Sequence, residues 1–148
     1  MPAVSSDPRT ARLAEAYAGL TRQNLPALLA LYDEAATFKD PFNDVRGRAA
    51  IDRIFSQMFE ELQAPRFVIL SAATEGDDAF LTWELHFSRQ GRSEVMTVRG
   101  ATHLRYSPGG LVAMHRDYWD AAEELYAKLP VLGALMRALR RRLQTPQP

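Results

Sequence analysis

Four side chains in this 148-residue chain could do acid–base chemistry together: Asp40, Tyr17, His115 and Asp117. Asp40 leaves the end of a short strand, residues 36–39, and is followed by Pro41 and Phe42. A carboxylate held against an apolar wall with few charges nearby loses solvation and becomes a stronger general base. Asp before Pro is also ordinary turn chemistry, so capping the turn is the competing reading. His115 and Asp117 stand two apart in LVAMHRDYW, and strand alternation puts them on one face together with Trp119. A carboxylate in that position can orient the imidazole and raise its basicity. A surface ion pair or a satisfied core network would use the same two residues. Tyr17 lies on the apolar stripe of a helix and brings a hydroxyl that needs a partner. Core packing alone would account for it equally well. A metal needs a third and fourth ligand at set spacing, and His86 and His103, the other two histidines, fall on the opposite, wetter face. No metal is expected.

The elements that must position these groups follow from periodicity. Asp7 and Pro8 suit the N-cap and first position of a helix that runs through Arg9–Gln23, with Leu13, Ala16, Tyr17 and Leu20 on its apolar side. Pro26 opens a second helix, with Leu28, Leu29, Leu31 and Tyr32 apolar, ending near Asp33. The Asp40 turn follows, then a third helix over Arg48–Leu62 that faces Ile51, Ile54, Phe55, Met58, Phe59 and Leu62 inwards. Ala64-Pro65 stops it. From there the period alternates: strands over Arg66–Thr74, Ala79–Arg89, Ser93–Tyr106 and Leu111–Trp119, joined by turn-forming segments. Met96, Val98, Gly100, Thr102 and Leu104 form the more apolar face of the third of these, and Gly100 suits a bend. Asp120 and Glu123 can cap a final helix whose apolar side is Leu125, Leu129, Leu132, Leu135, Met136, Leu139 and Leu143, kinked at Pro130. Its basic end, Arg137 and Arg140–Arg142, suits a helix C-terminus. A dimer arm or a membrane-surface helix is the sharper alternative. The order is α+β: helices with one small strand, then a four-stranded antiparallel meander curved around the helices.

Bulk composition narrows the partners. The apolar share of 47% fits a globular chain, and the length fits one domain with a sizeable core. Basic and acidic residues balance at 18 each, which gives no electrostatic reason to expect nucleic acid or an anionic membrane. With no cysteine, disulfides, thiolate catalysis and cysteine-ligated metals are excluded. The first ten residues lack the apolar core of a signal peptide, so a cytoplasmic location is expected.

The residues YDEAATFKDPF, then RGRAAIDRIF, then the closing HRDYW resemble the NTF2-like superfamily, in its SnoaL-like and ketosteroid-isomerase-like branches. The resemblance covers residues 13–120 and is most specific around Asp40. It implies a cone: a strongly curved antiparallel sheet wrapped around three N-terminal helices, enclosing an apolar pocket. An extra C-terminal helix follows. The NTF2-like domain would span 7–120 and the added amphipathic helix 121–143. By the resemblance, Asp40 stands where ketosteroid isomerases keep the carboxylate that moves a proton between two carbons. Tyr17 stands where they keep the hydroxyl that bonds the enolate oxygen. Tyr32 and Trp119 match pocket positions, and Phe42, Phe55, Phe59 and Trp83 would set the pocket's volume. The chain departs from the isomerase pattern at Thr102, where a second acid is expected, and at Phe55, where a supporting tyrosine is expected. It offers instead His115 and Asp117 on the inward face, which looks more like the SnoaL-type cyclases. An Asp-Arg-Asp set like that of limonene-epoxide hydrolases is not formed, because Ala101 follows Arg99 at the needed spacing.

Two functions fit. In one, the chain is a cofactor-free isomerase or cyclase acting next to the carbonyl of an apolar ketone, steroid-like or polyketide-like: Asp40 takes the proton, Tyr17 stabilises the enolate, and His115, held by Asp117, relays a proton. In the other, it is a non-catalytic, dimeric ligand carrier or accessory protein that kept the fold, a reading that the missing acid at Thr102 favours. Either way the expected partner is a small apolar molecule, with a homodimer formed through the sheet. No cofactor and no nucleic acid are expected, and membrane contact by the C-terminal helix is the weaker option.

Overall fold

The computed structural model describes residues 5–89, 91–124, 135, 138–139 and 141–143. Helix α1 (Pro8–Ala18) starts where expected, because the Asp7 carboxylate accepts the Arg9 backbone N–H at 2.9 Å and Pro8 needs no donor partner. It buries Thr10, Leu13, Ala14 and Tyr17 and stops at Gly19, five residues short of the expected end. Helix α2 (Leu25–Leu29) is a single turn after Asn24. Strand β1 (Tyr32–Lys39) then begins four residues earlier than the sequence suggested. Tyr32, read as the last apolar residue of a helix, is the first residue of a strand. Tertiary pairing decides this, since Tyr32 is in register with Val112 and the Val112 N–H bonds Leu31 O at 2.9 Å.

After the Asp40 turn a short strand not anticipated from sequence, β2 (Asp44–Arg46), folds back antiparallel on β1. Gly47 takes φ +98°, a conformation a side chain would resist, and turns the chain into helix α3 (Arg48–Glu61). No gap follows. Strand β3 (Leu62–Glu75) starts directly at the helix end, and Ala64-Pro65 sits within it as a bulge, with Ala64 at φ +48°. Strands β4 (Asp78–Arg89), β5 (Val95–Tyr106) and β6 (Val112–Tyr118) complete the meander. The sheet has six strands in the order β2-β1-β6-β5-β4-β3, curved and unclosed. One pairing is not antiparallel: β1 runs parallel to β6, with Phe38 opposite His115. The expected antiparallel sheet is therefore mixed, because β1 enters it beside the last strand rather than the next one.

Helix α1 packs on β3, and α3 packs on β1 and β3. Their apolar sides meet the inner face of the sheet, where Leu81, Trp83, Phe87, Met96, Val98 and Leu104 alternate with outward residues as read from sequence. His86 and His103 point outward, bonded to Glu84 and Asp78. Helix α4 (Ala121–Glu124) is capped by Asp120, whose carboxylate accepts the Glu123 N–H. Beyond it only Leu135, Ala138, Leu139 and 141–143 are described, all helical. Leu125, Leu129, Leu132, Met136, Arg137, Arg140 and the Pro130 kink lie outside the described residues. Among the described residues no helix is long and apolar enough to cross a membrane.

Candidate active site

Alternation along β6 turns His115 and Asp117 inwards. His115 is 3% exposed, and the Phe38 ring stacks on it at 4.3 Å between centroids. Its Nε2 lies 2.7 Å from Asp117 Oδ1, and its Nδ1 lies 2.7 Å from the Tyr32 hydroxyl. Tyr32, fully buried at the head of β1, is 2.5 Å from the Tyr17 hydroxyl on α1. On the other side, Asp117 Oδ1 is 2.6 Å from Thr102 Oγ1 on β5, and Thr102 is 2.8 Å from Trp83 Nε1 on β4. Six side chains from five elements thus form one continuous line: Trp83, Thr102, Asp117, His115, Tyr32 and Tyr17.

The chemistry of the end members sets the direction of every bond in that line. An indole only donates, so Thr102 Oγ1 accepts from Trp83 and gives its own proton to Asp117. A carboxylate only accepts, so His115 Nε2 carries a hydrogen. With a neutral imidazole, Nδ1 must then accept from Tyr32, and the Tyr32 oxygen accepts from Tyr17. Burial, with Tyr32 and the Asp117 charge nearby, pushes the Tyr17 hydroxyl well above the ordinary tyrosine value. Burial pushes Tyr32 up too, so both phenols stay protonated. Among the described residues no buried side-chain nitrogen or oxygen lacks a partner.

Two adjoining cavities meet this line. The inner one, about 30 Å³, is lined by Tyr17, Thr102, His115 and Asp117 together with apolar side chains. It holds a water or a carbonyl oxygen and no more. The outer one, about 480 Å³, is mainly apolar, with Phe38, Ile54, Met58, Leu85, Phe87 and Val98 in its wall. Phe55, Phe67, Trp83 and Asp117 border both, so they form the neck between the two. Asp117 is the polar member of that neck. Both of its hydrogen bonds fall on Oδ1, which leaves Oδ2 without a protein partner among the described residues and its side chain 16% exposed.

Asp40 lies outside the polar line. Its Oδ1 accepts the N–H groups of Phe42 (2.8 Å) and Asn43 (2.7 Å), and Asn43 Nδ2 lies 3.1 Å from each carboxylate oxygen. It therefore closes the turn, the competing reading from sequence, while also lining the outer cavity at its mouth. No described hydrogen bond links it to Tyr17 or His115. Phe42, 53% exposed, meets the Trp119 ring edge-on at 5.5 Å, and both border the same mouth. Phe55 and Trp83 stand at the neck, Thr102 in the polar line, and Tyr32 at its centre. Phe59 packs against the core and borders neither cavity.

Sequence reasoning passed over Phe38 and Phe67. Phe38 sits two residues before Asp40 on an alternating strand, a spacing that carried the signal; Phe67 follows the bulge, which conceals its register. Among the described residues, no group of three or more His, Asp or Glu side chains is placed to hold a metal ion.

Residues 13–115 match the family model of the SnoaL-like domain. A protein with a ketosteroid isomerase-like fold from Catenulispora acidiphila, solved with trimethylamine, aligns with a TM-score of 0.70 at 22% identity, over 84% of this chain and 96% of its own. An NTF2-like protein of unknown function from Burkholderia pseudomallei gives 0.69 at 13% identity, over 79% and 95%. A candidate SnoaL-like polyketide cyclase from Shewanella denitrificans gives 0.65 at 18%, over 82% and 100%. At these identities the likeness is one of fold. None of the curated proteins is significantly similar to the chain.

Proposed function

The chain belongs to the SnoaL-like domain family, and we propose that it is a cofactor-free enzyme that moves a proton next to the carbonyl of an apolar ketone, steroid-like or polyketide-like. The observation that carries this reading is the free oxygen of Asp117 at the neck between an apolar cavity and a polar line that ends at Tyr17. The outer cavity, about 480 Å³, is in the range of roughly 300–1,000 Å³ that small-molecule sites occupy. A ketone seated there projects its oxygen into the inner cavity beside Tyr17. Asp117 Oδ2 takes the proton from the neighbouring carbon, and the electron pair moves to the oxygen as an enolate. Returning the proton to a different carbon is isomerisation. If the enolate carbon instead attacks a second carbonyl of the same molecule, a ring closes and the new alkoxide takes the proton.

The line supplies what the enolate needs when His115 carries a second proton. Nδ1–H then donates to Tyr32, Tyr32 to Tyr17, and Tyr17 to the enolate oxygen, so both hydroxyls reverse direction. Proton uptake at one buried ring thereby turns the Tyr17 O–H away from Tyr32 and aims it at the inner cavity. Placed on preorganised donors in a water-poor site, such stabilisation contributes a factor of about 10²–10³ per donor.

A second reading keeps Asp40 as the base, favoured by its place on the wall of the same outer cavity. Two variants separate them. The exchange of ketone α-protons for deuterium is followed by NMR with 2-tetralone, and isomerisation of a β,γ-unsaturated ketosteroid by the absorbance of its conjugated product. Asp117→Asn should lower both rates by about 10²–10⁴, and Asp40→Asn by less than about threefold. The reverse pattern would move the base to the mouth. Ketone binding without exchange in the wild type would favour a ligand carrier.

A further inference from the structure

Trp83 borders both cavities and starts the polar line, and what lets it lie there is a side chain missing from the next strand. Trp83 and Gly100 are register partners on β4 and β5. A Cβ built on Gly100 would stand 2.5 Å from the indole Cη2 and Cζ2 and 3.0 Å from Cε2. No side chain tolerates the shorter approach, so any other residue forces the ring to move. Gly100 is not among the glycines with positive φ, so its backbone suits any residue, and the requirement is for space alone. With the ring lying across the bare Cα, Nε1–H reaches Thr102, two residues along the same strand.

We infer that Gly100 is a positioning residue of this site. Its missing side chain seats Trp83, and Trp83, by filling the acceptor side of Thr102, commits the Thr102 proton to Asp117 Oδ1. Oδ2 is then the oxygen left for a ligand. The ring borders both cavities, so moving it off Gly100 into them would narrow the neck. The inference rests on Asp117 as the base, and its physical core, the seating of the indole, can be measured whether or not that assignment holds.

The test uses the full chain and its two tryptophans, Trp83 and Trp119, told apart in ¹H–¹⁵N spectra by a Trp119→Phe background. The Trp83 Hε1 signal of the wild type should exchange slowly with solvent. Thr102→Ser should keep that protection, and Thr102→Val and Gly100→Ala should each lose it. On 2-tetralone exchange, Gly100→Ala should cost at least about tenfold when Trp83 is present and less than about twofold when Trp83→Phe has already removed the indole, because contacting residues do not act additively. Equal losses in both backgrounds would mean that the glycine serves the strand and not the ring, and would overturn the inference. An unchanged Hε1 signal in Gly100→Ala would do the same. If Gly100→Ala alone fails to fold, the double variant with Trp83→Phe should recover folding, and its failure to do so counts against the proposal. Should no variant or wild type exchange ketone protons, the Hε1 comparison still decides the seating, and only the function above is lost.

Discussion

The hydroxyls of Tyr17 and Tyr32 look alike in sequence, yet the direction of the polar line predicts opposite consequences for removing each. Tyr32→Phe deletes the group that stands between Tyr17 and His115 in a fully buried position. Nδ1 then has only Tyr17 to turn to, at 3.5 Å against the 2.7 Å it had from Tyr32. Two buried polar groups are left poorly matched, at about 1–3 kcal/mol each, for a loss of about 2–4 kcal/mol allowing for partial closure. For a chain of this size that lowers Tm by roughly 4–16 °C. Tyr17→Phe is gentler on the fold, because Tyr32 still donates to His115 and only one accepted bond is lost, about 0.5–1.5 kcal/mol. Catalysis ranks them the other way. Tyr17 is the donor at the inner cavity, so its loss should cost about 10²–10³ in exchange rate, whereas Tyr32→Phe keeps that donor and should cost about tenfold. Urea unfolding at constant m gives the first ranking and 2-tetralone exchange the second. Equal destabilisation by the two variants, or a larger loss from Tyr17→Phe, would refute the assigned direction.

Two further outcomes follow from the same buried groups. Burial raises the titration of Tyr17 and Tyr32 above their unfolded value, so the folded state holds these protons more tightly. Their stabilisation is complete below about pH 10 and falls above it by about 1.4 kcal/mol per pH unit for each tyrosine. Urea midpoints between pH 9 and 11.5 should therefore drop steeply, and less steeply in Tyr17→Phe; a flat wild-type profile would contradict the burial argument. Thr102→Val strands the buried Trp83 N–H and should cost about 1–3 kcal/mol in urea unfolding, while Thr102→Ser restores most of it. If Thr102→Ser proves no more stable than Thr102→Val, the hydroxyl is not what holds the indole.

What was legible in the sequence was local. Alternation in β4 and β5 placed Trp83 and Thr102 on the apolar faces and put His115 and Asp117 on one face of β6, because a strand's period needs no knowledge of its partner; the resemblance turned that last face inwards. The capping of α1 by Asp7 and the turn at Asp40 were readable for the same reason. The start of β1 was not. Tyr32 follows a helical pattern and becomes strand only because Val112, far along the chain, pairs with it. The hydrogen bonds that Tyr32 makes to Tyr17 and His115 were hidden with it. The family resemblance made Thr102 an absence, the place of a missing acid, whereas the fold makes it a donor to a carboxylate on the neighbouring strand. Asp40, the most conspicuous residue in the sequence, makes the turn that was its competing reading and also borders the outer cavity.

The parallel pairing of β1 with β6 has a consequence for how the molecule comes into being. Helix α1, helix α3 and the β3–β6 meander are built from contacts between neighbours in sequence, which form quickly. The bond between Tyr32 and His115 joins residues 83 apart, and the loop it closes carries an entropic cost that local pairing escapes. A chain refolding from denaturant should therefore regain most of its helix and strand before Tyr32 reaches His115. The hydroxyls of Tyr17 and Tyr32 join His115 only when β1 pairs with β6, so recovery of exchange activity should trail recovery of helix and strand.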